Sequence, residues 1–187
     1  MKKQKEILKN LNINKNWTLF LDRDGVINKK INGDYVRNWG QFEFLPNITE
    51  ALKTLNNIFG RIIIVTNQRG IGREIMTKED LNEIHKNMLD IFNQEGIKID
   101  GIYYCPHDYE KETCNCRKPK IGMALQAKKD FPEIDFKKSI MVGDSISDLE
   151  FGNNAKMISI YINKKKHNSF LSFKSLYEFS NSLKVKL

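Results

Sequence analysis

Trp17-Thr18-Leu19-Phe20-Leu21-Asp22-Arg23-Asp24-Gly25-Val26-Ile27-Asn28 is the stretch whose reading decides the fold. An apolar run that ends abruptly in two carboxylates, one residue apart, predicts a strand whose tip carries both acids. In open α/β sheets that carboxyl edge is where ligands bind. Gly25 permits the sharp turn that keeps both acids at the tip. Two carboxylates this close repel each other, so the pattern calls for a compensating hard cation such as Mg²⁺. Standing alone, the same letters also describe a solvated acidic turn.

Three further stretches weigh against that plainer reading. The apolar run Arg61-Ile62-Ile63-Ile64-Val65 ends in Thr66-Asn67-Gln68. Ser139-Ile140-Met141-Val142 runs into Gly143-Asp144-Ser145-Ile146-Ser147-Asp148, and Arg117-Lys118-Pro119 lies between the two. In order, these give Asp-x-Asp, a strand-end Thr, a Lys, and Gly-Asp-x-x-x-Asp. The series resembles the motif set of the haloacid dehalogenase superfamily of phosphotransferases, over nearly the whole chain.

The resemblance implies roles that the chemistry of phosphate monoesters explains. Such esters are anionic and repel nucleophiles, so catalysis needs charge neutralisation and an in-line attacker. Asp22 is implied as the nucleophile that forms an aspartyl-phosphate, and Asp24 as the acid and base that serves the leaving alkoxide and then water. Mg²⁺ is implied at Asp22, the main-chain carbonyl of Asp24, and Asp144. Thr66 and Lys118 are implied as partners of the phosphoryl oxygens and the nucleophile. Asp148, four residues after Asp144, is either an outer ligand or an acid favoured at a helix start.

All three cysteines fall in Cys105-Pro106-His107-Asp108-Tyr109-Glu110-Lys111-Glu112-Thr113-Cys114-Asn115-Cys116. Read as ligands, Cys105, His107, Cys114 and Cys116 form a closed N/S set with no open position, the pattern of structural Zn²⁺. An odd cysteine count without a secretion signal argues against a disulfide framework. The alternative is three reduced thiols in a loop with an incidental histidine. Cys116 directly precedes Arg117-Lys118, so a pinned loop would fix where those two cations point.

This insert narrows the resemblance to a capless, zinc-containing branch. It holds the D-glycero-D-manno-heptose-1,7-bisphosphate 7-phosphatases and the histidinol-phosphate phosphatases. Leu21–Asn28, Thr66–Arg73, Cys116–Met123, and Gly33-Asp34-Tyr35-Val36 followed by Phe42-Glu43-Phe44-Leu45-Pro46 all carry the likeness. Lys-Pro-x-x-Gly-Met favours the heptose enzymes, and the six residues between His107 and Cys114 resemble the histidinol type. Histidinol-phosphate members are often fused to a dehydratase, for which 187 residues leave no room. The expected activity is therefore a Mg-dependent phosphomonoesterase on a small phosphorylated sugar, removing the 7-phosphate of the heptose bisphosphate. Histidinol phosphate is the alternative.

Composition fits one compact enzyme, with residues 1–187 as a single phosphatase domain and the zinc loop at about 105–116. The chain has 40% hydrophobic residues, no apolar run of about 18 residues, and a basic N-terminus lacking a signal-peptide core. No membrane role, a cytoplasmic location and a monomer are expected.

Apolar runs and helical periodicity predict strands at 17–21, 61–66, 100–105, 139–143 and 157–162. Helices are predicted at 47–58, 78–95, 121–130, 147–153 and 173–183. The alternation implies an α/β, Rossmann-like, mostly parallel sheet with helices on both faces and no separate cap domain. On the 78–95 helix, Leu81, Ile84, Met88, Leu89 and Phe92 read as core, and His85 as a surface or rim residue. Selectivity falls to loops 29–45, 67–76 and 106–118.

Within those loops Asn67, Gln68, Arg69 and Arg117 are candidate substrate contacts. A guanidinium fork suits phosphate oxygens, and Arg117 is the strongest of the arginines by its place beside the zinc loop. Arg73 is a weaker candidate, and like Arg37 it reads equally well as a solvated charge.

A net charge of +8 raises a rival, a zinc-stabilised nucleic-acid-binding module or a polynucleotide phosphatase. Of the 31 basic residues 25 are Lys, scattered apart from Lys2-Lys3-Lys5 and Lys164-Lys165-Lys166. Readers of base edges lean on Arg and on aromatic platforms, whereas the aromatics here lie in apolar periodic runs. A primary nucleic-acid role is disfavoured on that ground.

Overall fold

The computed structural model describes residues 7–8, 10–163 and 170–184. The two lysine clusters lie outside that range. Six strands, β1 (Thr18–Leu21), β2 (Arg61–Asn67), β3 (Gly101–Cys105), β4 (Ser139–Gly143), β5 (Ile158–Ile162) and β6 (Leu171–Phe173), form one sheet. Its order is β3-β2-β1-β4-β5-β6, and every pairing is parallel. Parallel strands covered on both faces read as unbroken apolar runs. That is how Leu19-Phe20-Leu21 and Ile62-Ile63-Ile64-Val65 come to be buried end to end.

Alternation along β1 sorts the core. Leu19 and Leu21 join Ile62, Ile64, Ile140 and Val142 against α1 (Ile48–Ile58), α3 (Lys78–Gln94) and α6 (Leu176–Leu183). Phe20 turns the other way, with Ile63, Val65 and Met141, onto α4 (Gly122–Asp130) and α5 (Ile146–Asn154). A single turn, α2 (Arg69–Gly72), follows β2. A capping box starts α3, with Thr77 and Asp80 each bonding the other's backbone N–H.

The order reverses direction at β1, whose neighbours β2 and β4 leave on opposite sides. Such a switch point opens a crevice beyond the strand ends. Register brings three chemistry-bearing tips to it: Leu21 pairs with both Ile64 and Val142, and the Asp22 N–H donates to the Val142 carbonyl at 2.9 Å. Thr66 and Asp144 each lie two residues past those partners. Asn28 closes the turn after β1 through bridges to Asp24 and Phe44. Residues 28–46 hold a single 3₁₀ turn, Trp39–Gln41, so no cap domain stands over the crevice.

Two expectations need correction. The helix read at 173–183 starts only at Leu176, where the Ser175 hydroxyl accepts the Glu178 N–H at 3.1 Å. Its first residue, Phe173, belongs instead to β6, which pairs with Ile160–Ile162 and adds a sixth strand. A three-residue apolar run has no period of its own, and here the strand edge of β5 decides its conformation. His85 is not at the surface: it is 7% exposed, on the sheet-facing side of α3.

Gly60 joins α1 to β2, and a Cβ there would lie 1.8 Å from the Lys15 carbonyl oxygen. Backbone cannot step aside as a side-chain tip can. Gly60→Ala is expected to cost about 2 kcal/mol. The check is a lower urea midpoint with an unchanged slope.

Candidate active site

Lys118 ties the crevice together. Its Nζ donates to Asp22 Oδ1 at 2.8 Å, to the Val65 carbonyl at 2.8 Å, and pairs with Asp148 Oδ1 at 2.6 Å. An ammonium has three donors, and all three are used. The reach is set by Asn67 at the end of β2. Its Oδ1 accepts the Lys118 N–H at 3.0 Å, and its Nδ2 donates to the Lys118 carbonyl at 3.3 Å. Asn67 therefore holds the backbone from which the lysine projects.

Asp148 sits in the first turn of α5. Its carboxylate accepts the Ser145 N–H at 3.0 Å and hydroxyl at 2.6 Å, which starts α5. It also stands with Asp22 and Asp144, their oxygens within 4.8 Å of one another. Burial first, then the Asp148 carboxylate, pushes Asp22 up to about 7, while Lys118 pulls it back down. Burial works against the charge on Lys118, yet Asp148 and Asp22 hold it above the ordinary lysine range. Asp144 is raised by burial and pulled back by Lys30, whose Nζ lies 3.1 Å away. Three crowded carboxylates, two of them raised, make an oxygen donor set that suits a hard divalent cation.

Asp24 is held differently. Burial opposes its charge, but Arg23 and then Asn28 and Gln68 keep it below the usual carboxylate range. Arg23 Nη2 reaches both its oxygens at 3.1 Å; Asn28 and Gln68 each donate at 2.9 Å. Gln68 Nε2 also donates to the Thr66 hydroxyl at 2.9 Å, linking the β1 and β2 tips. Gly25 makes this turn with φ +89°, and a Cβ there would lie 2.3 Å from Asp144 Oδ2.

Arg23 is fully buried, and its Nη1 lies 3.1 Å from His85 Nε2. A guanidinium only donates, so Nε2 must accept and the imidazole must be neutral. No sequence pattern signals this pair, whose members are 62 residues apart.

These groups line a cavity of about 220 Å³. Asp22, Asp24, Thr66, Asn67, Gln68, Arg117 and Lys118 all border it, with Asp148, Lys30 and Tyr35. Asp144 borders the neighbouring cleft through its face toward Gly25. Lys30 and Tyr35 were not singled out in the sequence, beyond lying in the 29–45 loop. Of the candidate substrate contacts Asn67, Gln68, Arg69 and Arg117, Arg69 is the one that does not reach the cavity wall. It pairs with Asp108 at 2.6 Å and Glu110 at 2.5 Å, in the loop after β3. Arg73 is exposed, and Arg37 pairs with Asp34 on the surface.

The cysteine loop gathers as its spacing predicts. Cys105 Sγ lies 3.5 Å from His107 Nδ1 and 3.6 Å from Cys114 Sγ, and His107 Nδ1 lies 3.1 Å from Cys116 Sγ. The sulfurs are too far apart for a disulfide, whose bond is about 2.05 Å. Tetrahedral zinc with bonds near 2.3 Å to sulfur and 2.0–2.1 Å to nitrogen has ligand edges of roughly 3.6–3.8 Å. The two Cys105 separations lie near those edges and the His107–Cys116 separation is shorter; with all four ligand atoms within 4.8 Å of one another, the donor set suits such an ion.

Comparison with known proteins agrees with this geometry. A profile of the family described as "Polynucleotide kinase 3 phosphatase" matches residues 18–182. A D-glycero-alpha-D-manno-heptose-1,7-bisphosphate 7-phosphatase of Campylobacter jejuni is 43% identical over 171 residues, 90% of this chain and 96% of the relative.

The chain belongs to the haloacid dehalogenase phosphatases.

The enzyme of the same name from Mycobacterium bovis is 46% identical over 138 residues, 74% of this chain and 72% of its own. A solved D,D-heptose 1,7-bisphosphate phosphatase from B. bronchiseptica, complexed with magnesium and phosphate, superposes with TM-score 0.80. It is 25% identical, over 89% of this chain and 97% of the other. No helix among the described residues is long and apolar enough to cross a membrane.

Burial, with Arg23 beside it, pushes His85 down to about 3. The unfolded chain takes up a proton near pH 6.5 and the folded chain does not. Stability from the neutral ring is therefore present above pH 6.5 and lost as pH falls from there toward 3, by up to about 1.4 kcal/mol per pH unit. Urea unfolding between pH 7.5 and 5 is expected to weaken more steeply in the wild type than in His85→Gln. Parallel pH profiles would refute the assignment.

Proposed function

We propose that this phosphatase removes the 7-phosphate of D-glycero-D-manno-heptose 1,7-bisphosphate, with residues 1–187 acting as one phosphatase domain. The observation that carries the reading is the junction of two sites. Asp22, Asp24 and Lys118 border the cavity, and Arg117 borders it too, beside the cysteine loop. A bisphosphate has an anion for each. Histidinol phosphate has only one, and would leave Arg117 facing no charge.

In the first step a carboxylate oxygen of Asp22 attacks phosphorus as the bond to the sugar oxygen breaks, and Asp24 delivers a proton to that oxygen. Asp24 is ionised in the free site, so it takes its proton as the substrate's negative charge arrives beside it. In the second step Asp24 removes a proton from water, whose oxygen attacks phosphorus and frees Asp22. Lys118 neutralises Asp22 throughout, and the Thr66 hydroxyl donates to a phosphoryl oxygen. Mg²⁺ held by Asp22, the main-chain carbonyl of Asp24, and Asp144 supplies charge neutralisation for the phosphoryl group. Zn²⁺ at Cys105, His107, Cys114 and Cys116 is structural, fixing the backbone that leads into Arg117 and Lys118. Gln68 orients Asp24, and Asn67 orients Lys118. A Mg-dependent cytoplasmic enzyme acting as a monomer on a small sugar is the form this reading takes.

Phosphate release with Mg²⁺ is to be compared for both anomers of the heptose bisphosphate, histidinol phosphate and a 3′-phosphorylated oligonucleotide. The highest kcat/KM is expected for a heptose bisphosphate. Asp22→Asn should lower kcat by at least about 10³, since it removes the covalent route. A lead for histidinol phosphate or the oligonucleotide would replace the substrate, and turnover surviving in Asp22→Asn would sink the mechanism.

Metal analysis of protein purified without chelator should find about one zinc per chain. Finding none would return the cysteine loop to three plain thiols.

A further inference from the structure

Two arginines flank one exposed ring at the cavity rim, and their environments differ sharply. Arg69 is surrounded by partners: Asp108 at 2.6 Å and Glu110 at 2.5 Å. Its Nη1 also donates to the Tyr109 hydroxyl at 3.0 Å, and its guanidinium carbon lies 4.0 Å from the Tyr109 ring centre. The Arg117 guanidinium has no hydrogen bond or ion pair among the described residues, and its Nη1 is buried without a partner. Its guanidinium carbon rests 4.6 Å from the same Tyr109 ring, while its side chain borders the catalytic cavity.

The two carboxylates on either side of Tyr109 thus engage Arg69 and leave Arg117 with its full charge and a donor to spare. Tyr109 is itself 53% exposed, so burial does not account for its placement. The hydroxyl bond to Arg69 and the flanking ion pairs do. An aromatic face attracts a guanidinium without using any of its N–H groups. It can therefore orient Arg117 and still leave every donor for a ligand. A carboxylate in that place would hold the arginine more firmly but cancel the charge a phosphate needs.

We propose that Tyr109, clamped by Arg69, Asp108 and Glu110, is the positioning residue for Arg117. It holds that guanidinium at the cavity wall for the phosphate that is not transferred, and so sets the preference for bisphosphorylated over monophosphorylated substrates. This rests on the reading of the catalytic cavity given above. The clamp joins the turn after β2 to the tip of the cysteine loop, 39 residues apart. The selectivity element therefore belongs to neither loop alone.

The test compares kcat/KM for the heptose 1,7-bisphosphate with that for the same sugar carrying only the 7-phosphate. Wild type, Tyr109→Phe and Tyr109→Ala are each measured. In Tyr109→Ala the bisphosphate-to-monophosphate ratio is expected to fall about tenfold, the size of a partly desolvated cation–π contact. The loss should lie mainly in KM for the bisphosphate. Tyr109→Phe keeps the ring and should stay within about threefold of the wild-type ratio.

An unchanged ratio in Tyr109→Ala, or equal losses on both sugars, would overturn the proposal. Wild type inactive on both sugars would instead refute the substrate reading. The proposal is then judged on aryl-phosphate hydrolysis, inhibited by fructose 1,6-bisphosphate or fructose 6-phosphate. A bisphosphate advantage that Tyr109→Ala abolishes supports it, and one that is absent or unaffected overturns it.

Discussion

One buried ammonium, Lys118 Nζ shared between Asp22 and Asp148, is the interaction on which the rest depends. A cation this enclosed is costly unless every donor is met and its charge is matched. Meeting it fixes a great deal. The tips of β1, β2 and β4 must end in register, the α5 start must present Asp148, and the segment after the cysteine loop must arrive beside β2. Asn67 ties down that last segment through the lysine's own backbone. Taking away either carboxylate would leave the lysine one donor unmet and its charge less well matched. The fold and the nucleophile's environment are in this sense the same set of contacts.

Beside it, the two acids of the Asp-x-Asp turn are driven apart electrostatically. Asp22 has its pKa raised to about 7, and Asp24 is held low by Arg23, against its own desolvation. The two acids thus stand in different environments, and without a cation their order of acidity is the reverse of what a nucleophile and a general acid need; a divalent ion beside Asp22 would lower it. The buried His85 contributes through geometry, by taking one arm of Arg23 so that the other faces Asp24. Its neutrality is required by the hydrogen bond, and burial enforces it.

Much of this was legible in the sequence, because strand tips carry their chemistry in contiguous letters. Asp22, Asp24, Thr66 and Asp144 follow from apolar runs that stop at polar residues, Lys118 from its place in the ordered motif series, and the cysteine loop from spacing alone. What escaped are contacts between residues distant along the chain and lacking any periodic signal. Arg117 ranks above Arg69 by its place beside the cysteine loop, but the ion pairs of Asp108 and Glu110 with Arg69 have no sign in the sequence. His85 sits at a polar position on an otherwise regular helix, and its buried partner is on another element. The strand β6 escaped because three residues carry no period, and the edge they pair with is supplied elsewhere.

The charges around the cavity explain why its selectivity should rest at the rim. Four carboxylates, Asp22, Asp24, Asp144 and Asp148, face Arg23, Lys30 and Lys118, each of which is paired with at least one of them. A phosphate monoester brings roughly two more negative charges to this end. The catalytic cations are already committed, which is the electrostatic argument for a divalent ion in the proposed reaction. A second phosphate cannot draw on the same charges and must find its own. In the proposed reaction Arg117 would provide that charge: the neighbouring carboxylates are engaged by Arg69, and the Arg117 guanidinium, which rests on the Tyr109 ring, has no ion pair among the described residues. Separating the charge that drives the reaction from the charge that selects the substrate allows either to change without loss of the other.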